Sequence, residues 1–412
     1  MENLHASEAL RVVLESVSIL GVETVDLKRS LGRVLAESIS SNRDLPPYDV
    51  SMMDGFAVRS GDVVSAPTQL VIIEDIKAGD MPTKIVRTGQ CARIMTGAPI
   101  PQGADAVIPV EETHGLSAEI VQIDKTAKSG NYIRPQGDSM KNGEVVLQAG
   151  TEITPGVIGV LATVKVAVLS VYRRPRVAIL STGNELEGMS DPVDPNKIPN
   201  SNSYALMAQV QALGIEPVLL GIARDDPIEL EEFLRRGLEY DVLLVSGGTS
   251  VGVHDYVRPT TARLGVQMKF WRVAIRPGHP LAFGITNTSS VFGLPGNPVS
   301  SMVCFEEFVL PALRRMMGNQ RLYRRTVTAR LTHPVRFNPG RTEFIRIYLT
   351  RDAAGYIATS TGSQSSGALL SMAKADGLLV VPSDSTGLAE GEQVTVQLLD
   401  GAAFQDAIEF RE

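Results

Sequence analysis

The spacing of apolar positions changes character several times along this chain, and each change predicts a different element. Residues 4–20 place Leu10, Val13, Leu14, Val17 and Leu20 on one 3.6-residue stripe, with Ser7 and Glu8 near its start, which predicts an amphipathic helix. A polar-flanked segment, Leu31 to Ser38, leads into Asp44 to Ala57, where two prolines and a glycine predict irregular backbone. From Gln69 to Pro109 the pattern breaks into short runs at Leu70–Ile76, Ile85–Thr88, Ala92–Met95 and Ala106–Pro109, the signature of a small β-rich domain. Pro155 to Val171 is almost wholly apolar but is interrupted by Lys165. Thr154 and Pro155 form a helix start, so this stretch reads as a short buried helix to about Thr163 followed by a strand over Val166–Val171, rather than a membrane span.

Between Arg173 and Gly318 the alternation is β-α-β-α-β with short connections. Strand 176–181 is followed by a helix from about Ser203 to Leu213 that stops at Gly214, then by strand 217–222. Asp226-Pro227-Ile228-Glu229 supplies a cap, a first-turn proline and a capping-box acid for the next helix, and strand 241–246 follows it. Right-handed crossovers make this a parallel, doubly wound sheet. A last helix, from Asn297-Pro298 to about Met317, is apolar around most of its circumference and is predicted to be buried, with its amino terminus at the sheet edge and open to an oxyanion. After Arg324-Arg325, strands recur at 326–332, 342–350, 355–360, 378–382 and 393–399, which fits a small barrel or sandwich.

Length and charge narrow the class. At 412 residues the chain exceeds one ordinary core and predicts several domains. A net charge of -7 without a long basic run argues against nucleic acid as a partner. Cys91 and Cys304 lie in no zinc or disulfide spacing and read as small apolar fillers. The start, Met1-Glu-Asn-Leu-His-Ala-Ser-Glu, lacks the order of a signal peptide, so a cytoplasmic protein with no membrane partner is expected.

Candidate chemistry sits in three loops that each follow a predicted strand. Ser246 opens into Gly247-Gly248-Thr249-Ser250-Val251-Gly252-Val253-His254-Asp255, Ser181 into Thr182-Gly183-Asn184-Glu185, and Gly293 into Leu294-Pro295-Gly296-Asn297-Pro298. A Gly-Gly turn is often only a turn. Three such loops on one carboxyl edge of a parallel sheet are where ligands of open α/β sheets bind. Paired glycines let an anion approach the backbone, and Asp255 adds a carboxylate for a metal beside it.

Asp54 lies in a loop with Asp49 and Ser51, and Met52, Met53 and Phe56 are expected to anchor that loop in a core. Thr96 and Asp105 occupy a Gly and Pro loop, and Asp138 a later turn. The acids Asp54, Asp138, Glu185, Asp225 and Asp255, with the cationic group Arg272, Arg276 and His279, suit a magnesium-assisted reaction at a phosphate or pyrophosphate. Walker A, GxGxxG and HExxH patterns are absent, which disfavours their chemistries.

Six ordered motifs carry a resemblance over nearly the whole chain: PPYDVSMMDGFAVR at 46–59, RIMTGAPIPQGADAV at 93–107, RPRVAILSTGNEL at 174–186, SGGTSVGVHDYV at 246–257, RPGHPLAF at 276–283 and FGLPGNPVS at 292–300. They resemble the molybdopterin molybdenumtransferase family of MoeA and the gephyrin E domain. The resemblance implies a multidomain α/β plus β fold. A discontinuous helical linker domain would span 1–45 and 138–172, a β-rich domain 46–137, a molybdopterin-binding α/β domain 173–320 and a C-terminal small β-barrel 321–412. It implies a molybdenum insertase that cleaves adenylylated molybdopterin with Mg2+, places molybdate on the dithiolene and releases AMP.

The resemblance makes Asp54, Asp138, Glu185, Asp225 and Asp255 the functional acids, with Asp225 and Asp255 on the metal. Substrate contacts would come from Thr96, Thr182, Gly183, Ser246, Gly247, Gly248, Ser250, Pro295, Gly296, Asn297 and Pro298, and molybdate contacts from Arg272, Arg276, His279, Arg346 and Ser366. It implies an elongated homodimer in which Asp54 and Thr96 reach the sheet domain of the other subunit, with the molybdopterin adenylyltransferase of the preceding step as a further partner. The family often carries lysine where this chain has Arg272, Arg276 and His279, aspartate at Asn184, an acid at Val253 and asparagine at Val50. Other readings of the same resemblance are a non-catalytic molybdopterin-binding scaffold, a tungstate-inserting paralogue, or the adenylyltransferase itself, against which the flanking β-rich domains argue.

Overall fold

The computed structural model describes residues 3–248 and 256–399. Helix α1 spans Ala6–Ser16 and strand β1 Val22–Asp26. The β-rich part contains β2 (Gly55–Val58), β3 (Thr68–Ile76), β4 (Gln90–Ile94), β5 (Ala106–Pro109), β6 (Thr113–Gly115) and β7 (Ile120–Ile123). Helix α2 (Pro155–Thr163) and β8 (Val168–Tyr172) follow, and Thr154 caps α2 by accepting from the Val157 N–H at 3.4 Å. The central domain runs β9 (Val177–Thr182), α3 (Ser201–Gln211), β10 (Val218–Ala223), α4 (Pro227–Gly237), β11 (Val242–Ser246), α5 (Val257–Arg263), β12 (Gln267–Phe270), β13 (Ala282–Ile285), β14 (Ser290–Leu294), α6 (Pro298–Cys304) and α7 (Leu310–Met316).

The central sheet has the order β10-β9-β11-β14-β13-β12. The pairs β9/β10, β9/β11 and β11/β14 are parallel, and every residue of β9 and β11 is buried. Because strand side chains alternate, Val177, Ile179, Val242 and Leu244 meet α3 and α6 through Leu206, Val210, Val299 and Val303, while Ala178, Leu180, Leu243 and Val245 meet α4 and α5 through Leu230, Leu234 and Val257. The sheet is doubly wound, as its pattern predicts, but not wholly parallel: β13 and β12 complete it as antiparallel strands. The hairpin between β13 and β14 needs no crossover, and its strands are too short to stand out by periodicity.

The final helix is buried as expected, but it is not regular. Residues Phe305–Val309 form a π turn between α6 and α7. Pro311 lies just beyond it, has no N–H to give the carbonyl four residues back, and would press its ring on that carbonyl; widening the preceding turn relieves both conflicts. Glu306 is thereby buried against Arg324 at 2.9 Å, and Glu307 accepts from Gln397 Nε2 at 2.8 Å.

Helix α1 is shorter than the 4–20 stripe and lies on the central domain, where Ala9, Val13 and Val17 join the cluster containing Leu310, Leu313 and Met316. Strand β1 pairs antiparallel with β8, and Leu35, Ile39, Ile153, Leu161, Leu169 and Val171 form a separate core beneath them. Segments far apart in sequence therefore share one core here.

The β-rich sheet has the order β5-β2-β4-β3-β7-β6. Two expectations fail in it. Residues 85–88 form no strand: just before them Lys84 Nζ donates to the Ile73 carbonyl, and within them the Arg87 N–H donates to Gln90 Oε1, bonds that turn this stretch. The loop of Asp54 is not irregular throughout: Gly55–Val58 is a buried strand, with Gly55 so close to β5 that a Cβ there would lie 1.9 Å from the Ile108 carbonyl oxygen. Phe56 is buried in the sheet core as expected, whereas Met52 is exposed, and polar contacts such as Ser51 Oγ to the Met53 carbonyl at 2.6 Å hold the loop as well.

The C-terminal strands are β15 (Thr326–Leu331), β16 (Thr342–Asp352), β17 (Gly355–Ser360), β18 (Gly377–Val381) and β19 (Gln393–Leu398), with the short helix α8 (Leu369–Ala373) before β18. They close as β16-β17-β15-β19-β18 and back to β16, so the even spacing of the sequence is a small barrel. Residues 275–276 of the central domain pair parallel with 342–343, stitching the barrel to it.

Burial is the first cause that pushes the Glu307 carboxyl up, to about 8. A raised acid stabilises the fold below its unfolded value and loses that contribution as pH rises through the folded value, so stability is expected to decline between about pH 4.5 and 8. Glu307→Gln should remove this decline, raising stability near pH 8 on the order of a few kcal/mol relative to the parent while changing little near pH 4. Urea denaturation across that range tests it, and parallel pH profiles for both proteins would refute it.

Candidate active site

Parallel register brings the three loops level. Ser181 is aligned with Ser246, and Ser246 with Leu294, so Thr182-Gly183, Gly247-Gly248 and Pro295–Pro298 leave the same edge side by side. Gly247 and Gly248 have φ of 93° and 63°, and a Cβ at Gly247 would lie 2.6 Å from the Thr182 carbonyl oxygen. Side chains at these positions would force the first two loops apart. A Cβ at Gly296 would stand 3.9 Å from the Gly247 Cα, so the third loop touches the second.

Asn202, in the first turn of α3, ties two of the loops together by donating to Ser246 Oγ and to the Gly296 carbonyl, each at 2.8 Å. Its own Oδ1 is buried without a partner, and so is Thr182 Oγ1. Asn200 caps α3 by accepting from the Ser203 N–H at 3.3 Å and also accepts from Ser181 Oγ at 2.9 Å. Sequence reasoning missed Asn202. The signal was the run Asn200-Ser201-Asn202-Ser203, which reads first as a helix cap.

Two of the candidate acids stand on this edge. Asn184 and Asp225 exchange hydrogen bonds, the Asn184 N–H to Asp225 Oδ2 and the Asp225 N–H to Asn184 Oδ1, both at 3.2 Å. Glu185 folds back over the first loop, so a Cβ at Gly183 would meet its carboxylate at 2.3 Å. Asp226, by contrast, is the α4 cap, accepting from the Ile228 and Glu229 N–H groups at 3.0 and 2.9 Å. Asp255 and Ser250 lie outside the described residues. Asp225 and Glu185 both offer carboxylate oxygens, the kind of ligand a hard divalent cation takes. No three His, Cys, Asp or Glu side chains converge among the described residues alone.

The other acids belong to different parts of the chain. Asp54 accepts from the Thr96 N–H at 2.6 Å and from its hydroxyl at 2.7 Å, and these two bonds, the backbone one first, hold its carboxyl below the usual range. Both residues sit on the β-rich sheet. Asp138 is paired with Arg134 at 2.8 Å, and Asp105 accepts from the Ser60 N–H and hydroxyl at 2.6 and 2.8 Å, a structural duty.

The cationic residues divide in the same way. Arg276 is exposed and reaches Glu343 at 3.3 Å across the stitch to the barrel. Arg272 is partly exposed beside it, with its carbonyl accepting from the Leu4 N–H at 3.1 Å. His279 Nδ1 lies 2.8 Å from the Val273 carbonyl. A carbonyl only accepts, so Nδ1 carries the proton, and Nε2 of the neutral ring is a bare lone pair that becomes a donor only on protonation.

Arg346 is the largest fully buried side chain and spends its guanidinium on Ser371 Oγ, the Phe344 carbonyl and the Ser365 carbonyl at 3.1, 3.3 and 3.1 Å. Burial pulls its pKa down to about 10. It braces the loop whose next residue, Ser366, offers its carbonyl to the Val299 N–H at 3.1 Å. The start of α6 is therefore partly capped by protein rather than left open to an oxyanion, a correction to the free amino terminus its sequence suggested. Cys91 and Cys304 are buried fillers, and burial pushes the Cys91 thiol up to about 12.

Known proteins share this arrangement. Family models match in order along the chain: the MoeA N-terminal region (domain I and II) over residues 4–164, a probable molybdopterin binding domain over 178–315, and the MoeA C-terminal region (domain IV) over 328–399. A doubly wound domain of the molybdopterin-binding type, framed by these two regions, defines the class. The molybdopterin molybdenumtransferase of Nostoc sp. is 36% identical over 385 residues, covering 91% of this chain and 88% of that protein. The Staphylococcus aureus protein of the same name is 34% identical over 411 residues, covering 98% of each. The crystal structure of the molybdopterin biosynthesis moeA protein from Pyrococcus horikoshii OT3 superposes with a TM-score of 0.84 at 32% identity, covering 96% of this chain and 100% of that one. The chain belongs to the MoeA family, transferases of molybdenum cofactor biosynthesis. Among the described residues no helix is long and apolar enough to cross a membrane.

Proposed function

We propose that this protein is a molybdenum insertase, which cleaves adenylylated molybdopterin with Mg2+, transfers molybdenum from molybdate to the dithiolene and releases AMP. The observation that carries the reading is the convergence of three ligand-type loops, two acids and two orphaned buried oxygens, Thr182 Oγ1 and Asn202 Oδ1, on one sheet edge. An orphaned acceptor amid satisfied groups marks a place where a ligand donor belongs. The pterin, rich in N–H groups, supplies such donors. Asp225 and Asp255 would hold the magnesium ion, which supplies positive charge to the pyrophosphate oxygens when bound. Glu185, folded over Gly183, orients that edge, and the Arg272, Arg276 and His279 group draws in the oxyanion.

Asp54, kept ionised by Thr96, lies on the other domain. In this proposal two copies form a homodimer in which Asp54 and Thr96 of one subunit face the sheet edge of the other, and the adenylylated substrate arrives from an adenylyltransferase in the cytoplasm. The departures at Arg272, Arg276 and His279 keep charge at the first two positions and make it depend on pH at the third.

AMP release from adenylylated molybdopterin with magnesium tests the reading directly, comparing no oxyanion, molybdate and tungstate. Molybdate-dependent release is expected, with a loss of about 100-fold or more in Asp54→Ala and in Asp225→Ala. Bound substrate with no release under any condition would instead identify a scaffold, and faster release with tungstate a tungstate-inserting enzyme. His279→Ala should raise the molybdate concentration giving half-maximal rate about tenfold, the loss of one contact to the oxyanion. An unchanged molybdate dependence would remove His279 from the oxyanion pocket.

A further inference from the structure

Strand β9 carries the candidate site at Thr182, and at its opposite end the chain enters the sheet through Arg173-Arg174-Pro175-Arg176. There, about 20 Å of strand away, a cavity of about 260 Å³ separates three parts of the molecule. Leu31, Gly32 and Glu152 line one side, the end of α3 through Gly214 a second, and Arg314 and Asn319 a third.

Arg174 also lines this space, and its Nε is buried without a hydrogen-bond partner. The neighbouring acids are committed elsewhere. Glu152 accepts from Arg314 at 2.8 Å and from Asn319 at 3.0 Å, Asp241 takes Arg173 at 2.8 Å, and Glu23 is paired with Arg33. Glu216 accepts from Gln211 at 3.1 Å. Arg176 also reaches Asp241, at 3.5 Å, so Arg33, Arg173, Arg176 and Arg314 each have an acid partner and Arg174 has no ion pair among the described residues.

The backbone is shaped around this guanidinium. Gly32 and Gly214 both have left-handed φ, 71° and 72°, and a Cβ on either would face Arg174 Nη2, at 3.8 and 2.4 Å. The second distance allows no side chain at 214 while Arg174 stays in place. Burial, and next the charge of Arg33, disfavour the Arg174 cation, and the nearby Glu23 carboxylate offsets this only in part. The end of α3 contributes partial negative charge that steadies it, but helix-end carbonyls leave Nε unpaired.

We infer that this cavity is a binding site for a small oxyanion, a phosphate or carboxylate group held by the fork of Arg174. A guanidinium offers parallel N–H donors matched to two oxygens of such a group, and an anion here would satisfy Nε and balance the surplus charge. Because the cavity is walled by the segment around Gly32 and Glu152 as well as by α3 and the end of α7, the anion would hold these parts together. The inference is independent of the reaction proposed for the other edge.

Isothermal titration and thermal denaturation of the full chain with inorganic phosphate, and separately with malonate, at constant ionic strength, test the site. Saturable binding of at least one anion with a rise in the melting midpoint is expected. Phosphate alone assigns a phosphate group and malonate alone a carboxylate. Arg174→Met should weaken that binding about tenfold or more, the loss of a charge-assisted hydrogen bond, and should melt no lower than the parent without anion, since it removes a half-buried guanidinium whose Nε is unpaired. Arg174→Lys, which keeps charge but loses the fork, should bind with intermediate affinity and carries the test should the methionine variant fail to fold. Absence of saturable binding for both anions, or undiminished binding in the variants, would overturn the inference.

Discussion

The site depends on register. Ser181, Ser246 and Leu294 end three adjacent parallel strands at one level, and everything functional at the sheet edge follows from that alignment. A slip of one residue would turn the alternating core residues of β9 and β11 to the wrong helical layer, so the same apolar burial that stabilises the domain also fixes where the loops emerge. Glycine does the rest: at 247 and 248 the close approach of Thr182 and Val257 leaves no room for a Cβ. Asn202 then ties Ser246 to Gly296, and burial makes that bridge costly to break.

Around this centre, a shared apolar core, into which Phe344, Met372 and Leu378 of the barrel pack, and a few polar contacts together set the geometry. The barrel is joined to the sheet domain through residues 275–276 on 342–343 and through the Ser366 carbonyl on α6. Arg346 lies behind that contact, holding the loop from within the barrel wall. Arg276 falls on the same seam through its pair with Glu343, so a change at that position also touches domain packing.

Much of this was legible in residue patterns, for physical reasons. Buried parallel strands read as continuous apolar runs, the Asp226-Pro227-Glu229 start reads as a cap, and the five barrel strands announce themselves by even spacing. What stayed hidden depended on partners distant in sequence. Gly55–Val58 becomes a strand only because β4 and β5 flank it, whereas the run at Ile85 makes, among the described residues, a single backbone bond to a distant segment, Val86 N–H to the Gln102 carbonyl, and no ladder. Asn202 looks like a cap until the loops it bridges are in place. The cavity at Arg174 has no local signature, since it exists only between three segments.

The account rests most heavily on Asp54 acting with the sheet edge of another subunit, and mixing subunits tests that directly. Asp54→Ala and Asp225→Ala proteins, each inactive alone, would be unfolded and refolded together, and AMP release measured on the mixture. The account predicts that activity returns, because a mixed dimer rebuilds one intact site from the two undamaged halves. A mixture as inactive as its components, with mixed dimers shown to have formed, would place both acids in the same subunit's site and contradict it.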